Sequence, residues 1–351
     1  MSTLDELMTR AASDVAKGRT PACQVAVAHN GEVVAFETFG DAEPSTRFAI
    51  FSATKPMVAA AIWHCIADGT LDVTRPVCDY IPEFATHGKP VVTVEQVMLH
   101  TAGFPSAPMG DLEGADPTRR RARFATWRLE WEPGSRFVYH PAVAHWVLAD
   151  LLERLRGQDF REVVEQQVFA PLGLPRALGL RLDDQEDLAP LIPLSDDARD
   201  DFALRHNDPE VRAAGNPGGG AFMTAADLAR FYQGLLHNPG GLWDAAVLHD
   251  ATTNIRCTFA DPLIGAPVNR SLGLVIAGDD GQHLLRYAIF GQSVSPGAFG
   301  HAGAHAQVGW ADPATGNSFA YLNNGVGSDQ FAAGGRAMRL ASIASELSFT
   351  A

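Results

Sequence analysis

Phe48-Ala49-Ile50-Phe51-Ser52-Ala53-Thr54-Lys55-Pro56-Met57-Val58 is the stretch on which the fold is decided. It sets a hydroxyl and an amine three residues apart, so a helix carries both on one side. A serine hydroxyl is a weak nucleophile until a base takes its proton. A neighbouring lysine can be that base when burial brings its pKa down from about 10.4. The chain has only three lysines, Lys17, Lys55 and Lys89, which gives the tetrad weight. Taken alone, the tetrad fits equally well an amphipathic helix whose lysine reaches out to water.

Working outward, Pro56 to Asp68 has the apolar spacing of a helix, with Ser52 at or just inside its start. Unpaired N–H groups and the positive dipole end favour an anionic oxygen there. Residues 3–17 read as a helix leading into an extended run, Ala22 to Ala28. Asn30-Gly31 and a second extended run, Glu32 to Phe39, complete a hairpin signal. Helices are expected over Val94 to His100, Ala142 to Arg156 and Thr224 to His237, the last with Thr224 and Asp227 in capping-box spacing. Gly218-Gly219-Gly220 makes a turning lead into it, and the acidic stretch Asp183 to Asp201 reads as an exposed connector with a lid as its alternative. Strands are expected at Ser271 to Ala277, Leu284 to Phe290, Gln307 to Asp312 and Ser318 to Asn323, and Asp329 to Leu347 closes as a helix.

Strands at both ends around a helical middle imply an α/β (α+β) fold. One antiparallel β-sheet is flanked by N- and C-terminal helices beside a mostly helical inserted domain. The expected boundaries are residues 1–60 and 255–351 for the sheet domain and 61–254 for the helical one, with the active site in the cleft between them.

Composition narrows the function. The 351 residues are 46% hydrophobic and 19% charged, as in a folded enzyme-sized protein. A formal charge of −14 argues against nucleic acid or an anionic membrane as partner. Arg119, Arg120, Arg121 and Arg123 form a local exception that reads as a solvated basic face. Four cysteines without C-x-x-C pairing suit reduced thiols, and Met1 to Lys17 holds acids rather than an apolar signal core. A cytoplasmic protein is expected, without cofactor and with a small molecule as its substrate.

Two further segments bear on the chemistry. Trp131-Glu132-Pro133-Gly134-Ser135-Arg136-Phe137-Val138-Tyr139-His140-Pro141 puts Tyr139 on a turn at a helix start, where it is either a cleft phenol or a structural tyrosine. Phe299-Gly300-His301-Ala302-Gly303-Ala304-His305 leads into a strand, where glycine admits close approach and an edge N–H can bind an oxyanion. His301 and His305 are otherwise polar strand-end residues. A metal role would need their spacing on a helix, so no metal is expected. Trp127, Trp131, Trp146 and Trp310 are candidates for an apolar acyl pocket, against ordinary core packing.

In this order and at these separations, Ser52-Ala53-Thr54-Lys55, Tyr139 and His301-Ala302-Gly303 resemble the penicillin-recognising serine hydrolases. The resemblance is to the class C β-lactamase branch, closest in character to family VIII carboxylesterases. Val94 to Phe104, Glu132-Pro133-Gly134 and Pro217 to Asp227 echo the same family. The resemblance implies that Ser52 is acylated, that Lys55 and Tyr139 share the proton traffic, and that Ser52 and Ala304 N–H groups hold the oxyanion. His301 and Gly303 would line the substrate. Two departures bear on specificity: Pro141 stands where the family has an amide-binding Asn, and His301 where it has a Lys. With a fixed cation removed in this way, neutral short-chain esters lead. An amidase or D-aminopeptidase-like activity, weak β-lactamase activity and a non-catalytic scaffold are the alternatives.

Overall fold

The computed structural model describes residues 2–196, 200–286 and 289–349. Both ends of the chain contribute to a six-stranded sheet. Its strands are β1 (Ala22–His29), β2 (Glu32–Gly40), β3 (Val275–Ile276), β4 (Phe299–Gly303), β5 (Gln307–Asp312) and β6 (Asn317–Asn323). They lie in the order β2-β1-β6-β5-β4-β3, every neighbouring pair antiparallel. Asn30 and Gly31, at φ 49° and 92°, form the left-handed pair that a two-residue hairpin turn needs.

The helices that bear on the site are α1 (Thr3–Ala16), α2 (Lys55–Ala67), α3 (Val94–Met98), α4 (Pro117–Phe124), α5 (Val143–Arg156), α6 (Ala225–His237) and α7 (Gln330–Ser345). Ser2, Thr93 and Thr224 cap α1, α3 and α6 through their side chains. Such a cap is worth about 1 kcal/mol.

Side chains alternate across the sheet with period two. Along β1, Cys23, Val25 and Val27 enter the core beneath α1 and α7, whereas Ala22, Ala26 and Ala28 face the core shared by α2 and α6. The small residues on that second face let α6 come close. A Cβ at Gly309 would lie 2.5 Å from the Tyr232 ring and 3.1 Å from Leu228.

Two expected strands differ. Ser271–Gly273 is a tight turn, with Gly273 at φ 108°, so only Val275–Ile276 pairs with β4. In the run 284–290 the described residues form no strand: His283–Leu285 is a 3₁₀ turn, and Tyr287 and Ala288 lie outside the described residues. Within the run Arg286 is buried and donates to the carbonyls of Pro267 (2.8 Å) and Ala277 (2.5 Å). A guanidinium committed to two loops braces them together. The described part of the connector 183–201 is held down rather than loose: Ile192–Pro193 pairs with Gly325–Val326, and Arg47 binds the carbonyls of Asp184 and Glu186. Asp197 to Arg199 of this stretch lie outside the described residues.

Of the arginine cluster Arg119 is exposed, but the other three do not form a solvated basic face. Arg120 is completely buried, reaching Asp150 at 2.8 Å, Glu153, and the Gly114 carbonyl at 2.7 Å. Arg121 also reaches Asp150 (2.9 Å) and Arg123 pairs with Glu113 (2.6 Å). Acids from α5 and the 111–115 turn neutralise the cluster and tie α4 to α5. Removing one partner of a buried ionic network strands the others in low dielectric. Arg120→Leu is therefore expected to lower unfolding stability by about 3–5 kcal/mol, read as a fall in the urea midpoint at constant slope.

Candidate active site

Ser52 lies in the 3₁₀ turn Phe51–Thr54 that runs directly into α2. The turn is strained, because Phe51 holds φ 45°, a left-handed value that a bulky residue adopts at about 1–3 kcal/mol. Burial of its ring among Leu180, Leu191, Phe222 and Val326 offsets the strain. Thr54 pins the turn: its hydroxyl donates to Phe51 O (2.6 Å) and accepts from Ala221 N (3.1 Å).

Lys55, 1% exposed, is fully enclosed at the head of α2. Its Nζ lies 2.6 Å from Pro141 O, 2.6 Å from Gly218 O and 3.0 Å from Ser52 Oγ. Carbonyl oxygens only accept, so they take two N–H bonds. A neutral amine has two hydrogens and one lone pair, and the lone pair is left for the Ser52 hydroxyl. Burial, assisted by the Arg270 charge, holds the Lys55 pKa well below the usual lysine value. Pro141, which offers no side-chain hydrogen bond, thus serves through its carbonyl. Gly218 needs its missing side chain, since a Cβ would lie 2.9 Å from Pro141 O. Behind it, Asn216 accepts from Gly218 N (2.8 Å) and donates to Asp111 (2.7 Å), which pairs with Arg205 (2.9 Å).

Tyr139 faces the same pair. Lys55 Nζ sits 5.0 Å from its ring centroid, and the Arg270 guanidinium 5.1 Å from it. Burial pushes the phenol pKa up, while Arg270 and hydrogen bonding with Ser52 pull the other way. Ser52, Lys55 and Tyr139 therefore meet at one point.

His301, on β4, corrects an expectation. Its Nδ1 is 2.6 Å from Ala302 O and so carries the proton, which leaves Nε2 as acceptor 3.4 Å from Arg270 Nη1. Burial first, then Arg270 and Lys55, hold its pKa well below the usual histidine value. The ring is neutral, and the fixed cation inferred to be missing is present as Arg270, which is 2% exposed. Arg270 lies 31 residues before His301 in sequence and belongs to no motif. Its neighbours Asn269 and Ser271 are polar, so nothing in the local sequence marks it as buried.

The end of β4 abuts the Ser52 turn: a Cβ on Gly303 would lie 2.1 Å from Ile50 O. Glycine is required there by the protein's own backbone. Ala304 follows, exposed, before His305 (φ 56°) and Ala306 (φ 68°) reverse the chain into β5. His305 is no ligand-type residue. It is buried, with Nε2 3.1 Å from Asp200 and Nδ1 3.0 Å from Gln330, its ring 5.6 Å from that of Phe51. Trp127, Trp146 and Trp310 are core residues, Trp310 on the face of the sheet under α1 and α7. Trp131 stacks beneath Arg136.

The arrangement can deprotonate Ser52 through a neutral amine. Activity should therefore rise with pH as Lys55 loses its proton, with an acid limb far below 10.5. Arg270→Gln removes a charge that disfavours the ammonium, so the limb should move to higher pH. Lys55→Arg should abolish it, because a guanidinium does not deprotonate. A pH–rate profile of kcat/KM for the three proteins checks both shifts.

Comparison with known proteins agrees with this geometry. The family profile "Beta-lactamase" matches residues 4–343. Among curated relatives, the esterase/beta-lactamase LipL of Mycobacterium tuberculosis is 28% identical over 78% of this chain and 68% of its own length. Esterase EstB of Burkholderia gladioli is 30% identical over 62% of this chain and 66% of its own. The alignments thus span about two thirds of those relatives. Among solved structures, a penicillin-binding protein homologue from Caulobacter crescentus superposes with TM-score 0.80 at 25% identity, covering 98% of this chain and 97% of that one. A family VIII carboxylesterase does so with TM-score 0.78 at 23% identity over 98% of each chain, a likeness of fold. No described helix is long and apolar enough to cross a membrane. With the match running unbroken from α1 to α7, through every segment that meets at Ser52, this chain belongs to the Beta-lactamase family and is a serine hydrolase of that fold.

Proposed function

We propose that the chain is a carboxylesterase that cleaves esters of small or short-chain acyl groups through a covalent acyl-Ser52 intermediate. The observation that supports it is the buried Lys55 Nζ, held 2.6 Å from each of two carbonyl oxygens and 3.0 Å from Ser52 Oγ, where a neutral amine can turn its lone pair to the hydroxyl. Ser52 Oγ attacks the ester carbonyl as its proton passes to Lys55. The N–H groups of Ser52 and Ala304 stabilise the oxyanion. Collapse breaks the bond to the alkoxide, which takes a proton from Tyr139 or Lys55, and water then releases the acid by the reverse traffic.

Pro141 supports esters over amides, because no side-chain amide is present at that position to bind a peptide-like substrate. A second reading, hydrolysis of amides or β-lactams that carry a carboxylate, draws on Arg270, whose charge stands beside His301 and Tyr139. Four free cysteines are in keeping with a reducing, cytoplasmic setting.

Hydrolysis of p-nitrophenyl butyrate by the native protein and by Ser52→Ala tests the proposal. The native rate should fall by about a thousandfold or more in the variant. A chromogenic cephalosporin and a D-amino-acid p-nitroanilide should turn over far more slowly. Faster turnover of either would move the assignment to the second reading, and an unchanged rate in Ser52→Ala would end the acyl-serine mechanism.

A further inference from the structure

His100 holds the backbone on both sides of Tyr139. Its carbonyl accepts from Val138 N (3.3 Å) and its ring Nδ1 accepts from His140 N (3.1 Å). The residue between those two anchors is Tyr139, and the His100 ring lies against the phenol ring at 4.6 Å between centroids, tilted 37°. The Phe137 ring meets it edge-on at 6.1 Å, so alternate side chains of the 137–139 segment both contact the imidazole. His140 is fixed in turn, its Nδ1 donating to Val138 O (2.7 Å) and its Nε2 accepting from Phe104 N (3.1 Å).

The grip demands a specific state of His100. Accepting from His140 N requires a bare Nδ1, so the proton sits on Nε2 and the ring is neutral. His100 is 1% exposed and adopts φ 57°, in the left-handed region. A side chain placed this way is held by the backbone of the turn after α3 and transmits its position to the phenol. Without the ring, the segment keeps the backbone bond from Val138 N to His100 O but loses the anchor on His140 N and the packing against the phenol, although Tyr139 itself is unaltered.

We propose that His100 is the positioning residue that aims the Tyr139 phenol at Ser52 and Lys55. The inference rests on the reading of Ser52 as nucleophile and Tyr139 as proton carrier. It predicts an effect on the chemical step with substrate binding spared, and one that depends on Nδ1 rather than on ring bulk. Asparagine places an oxygen near the position of Nδ1 and tolerates a positive φ. Leucine fills the space without an acceptor. Glutamine reaches the position of Nε2 and leaves that of Nδ1 empty.

The test uses two readouts on purified full-length protein: kcat and KM for p-nitrophenyl butyrate, and the rate of covalent labelling by a fluorophosphonate, which reports Ser52 nucleophilicity without an ester. His100→Leu should lower kcat and labelling by about the same factor as Tyr139→Phe, on the order of 10²-fold, with KM little changed. His100→Asn should restore most of both. In a Tyr139→Phe background His100→Leu should add little, because a residue that acts only through the phenol has nothing left to position. Should His100→Leu not fold, His100→Gln takes its place in the same comparison. Equal losses in the Asn and Leu variants, or losses that multiply with Tyr139→Phe, overturn the inference. If the native protein is labelled but does not cleave the ester, the esterase reading fails while the labelling rates still decide the role of His100.

Discussion

A primary amine placed out of reach of water, with two carbonyl oxygens and one hydroxyl around it, is the constraint to which the rest of this structure answers. As an ammonium, Lys55 would carry a charge into low dielectric at a cost of several kcal/mol. As an amine it is satisfied by what surrounds it, and that neutral state is the one the proposed mechanism uses. The two carbonyls come from segments 86 and 163 residues away in sequence, so the helical part of the chain must deliver both to one point. The α4–α5 ionic network steadies the helix that follows Pro141. The Arg205–Asp111–Asn216 chain steadies Gly218. Polar groups remote from the serine thereby act on its basicity.

Charge is distributed in the same spirit. One guanidinium, Arg270, stands among His100, His145 and His301, and its field helps keep all three rings neutral. The site holds a permanent cation among rings that stay neutral. Such a centre favours negative charge that develops during reaction, as at an oxyanion.

The features that were legible in sequence are those that local chemistry specifies. The Asn30-Gly31 turn, the Thr224 cap and the Ser52–Lys55 spacing each act within one turn of chain, and all three occur as read. Local chemistry does not specify the burial of charged residues whose partners lie far off in sequence. Arg120, Arg270 and Arg286 look in sequence like any surface arginine, yet all three are buried. Their burial is set by carboxylates, carbonyls or rings that only the tertiary fold brings to them. Leu284 to Phe290 has strand-like composition, yet its described residues form no strand, and the arginine within it binds two separate loops. His100 was seen as part of a familiar stretch, without any sign that its ring grips a segment 40 residues on.

The sheet joins β1 to β6, and Ala22 N meets Asn324 Oδ1 across 302 residues of chain. On a ribosome, Ser52 and Lys55 emerge well before Gly218 and before β4 with the adjoining Ala304. Until they arrive Lys55 has water around it, remains an ammonium, and cannot take a proton from the serine. The long-range closure that makes such a fold slow to assemble therefore doubles as a timing device. Under the proposed mechanism the nascent chain would carry its nucleophile in latent form, with hydrolytic competence beginning only when the last strands are in place.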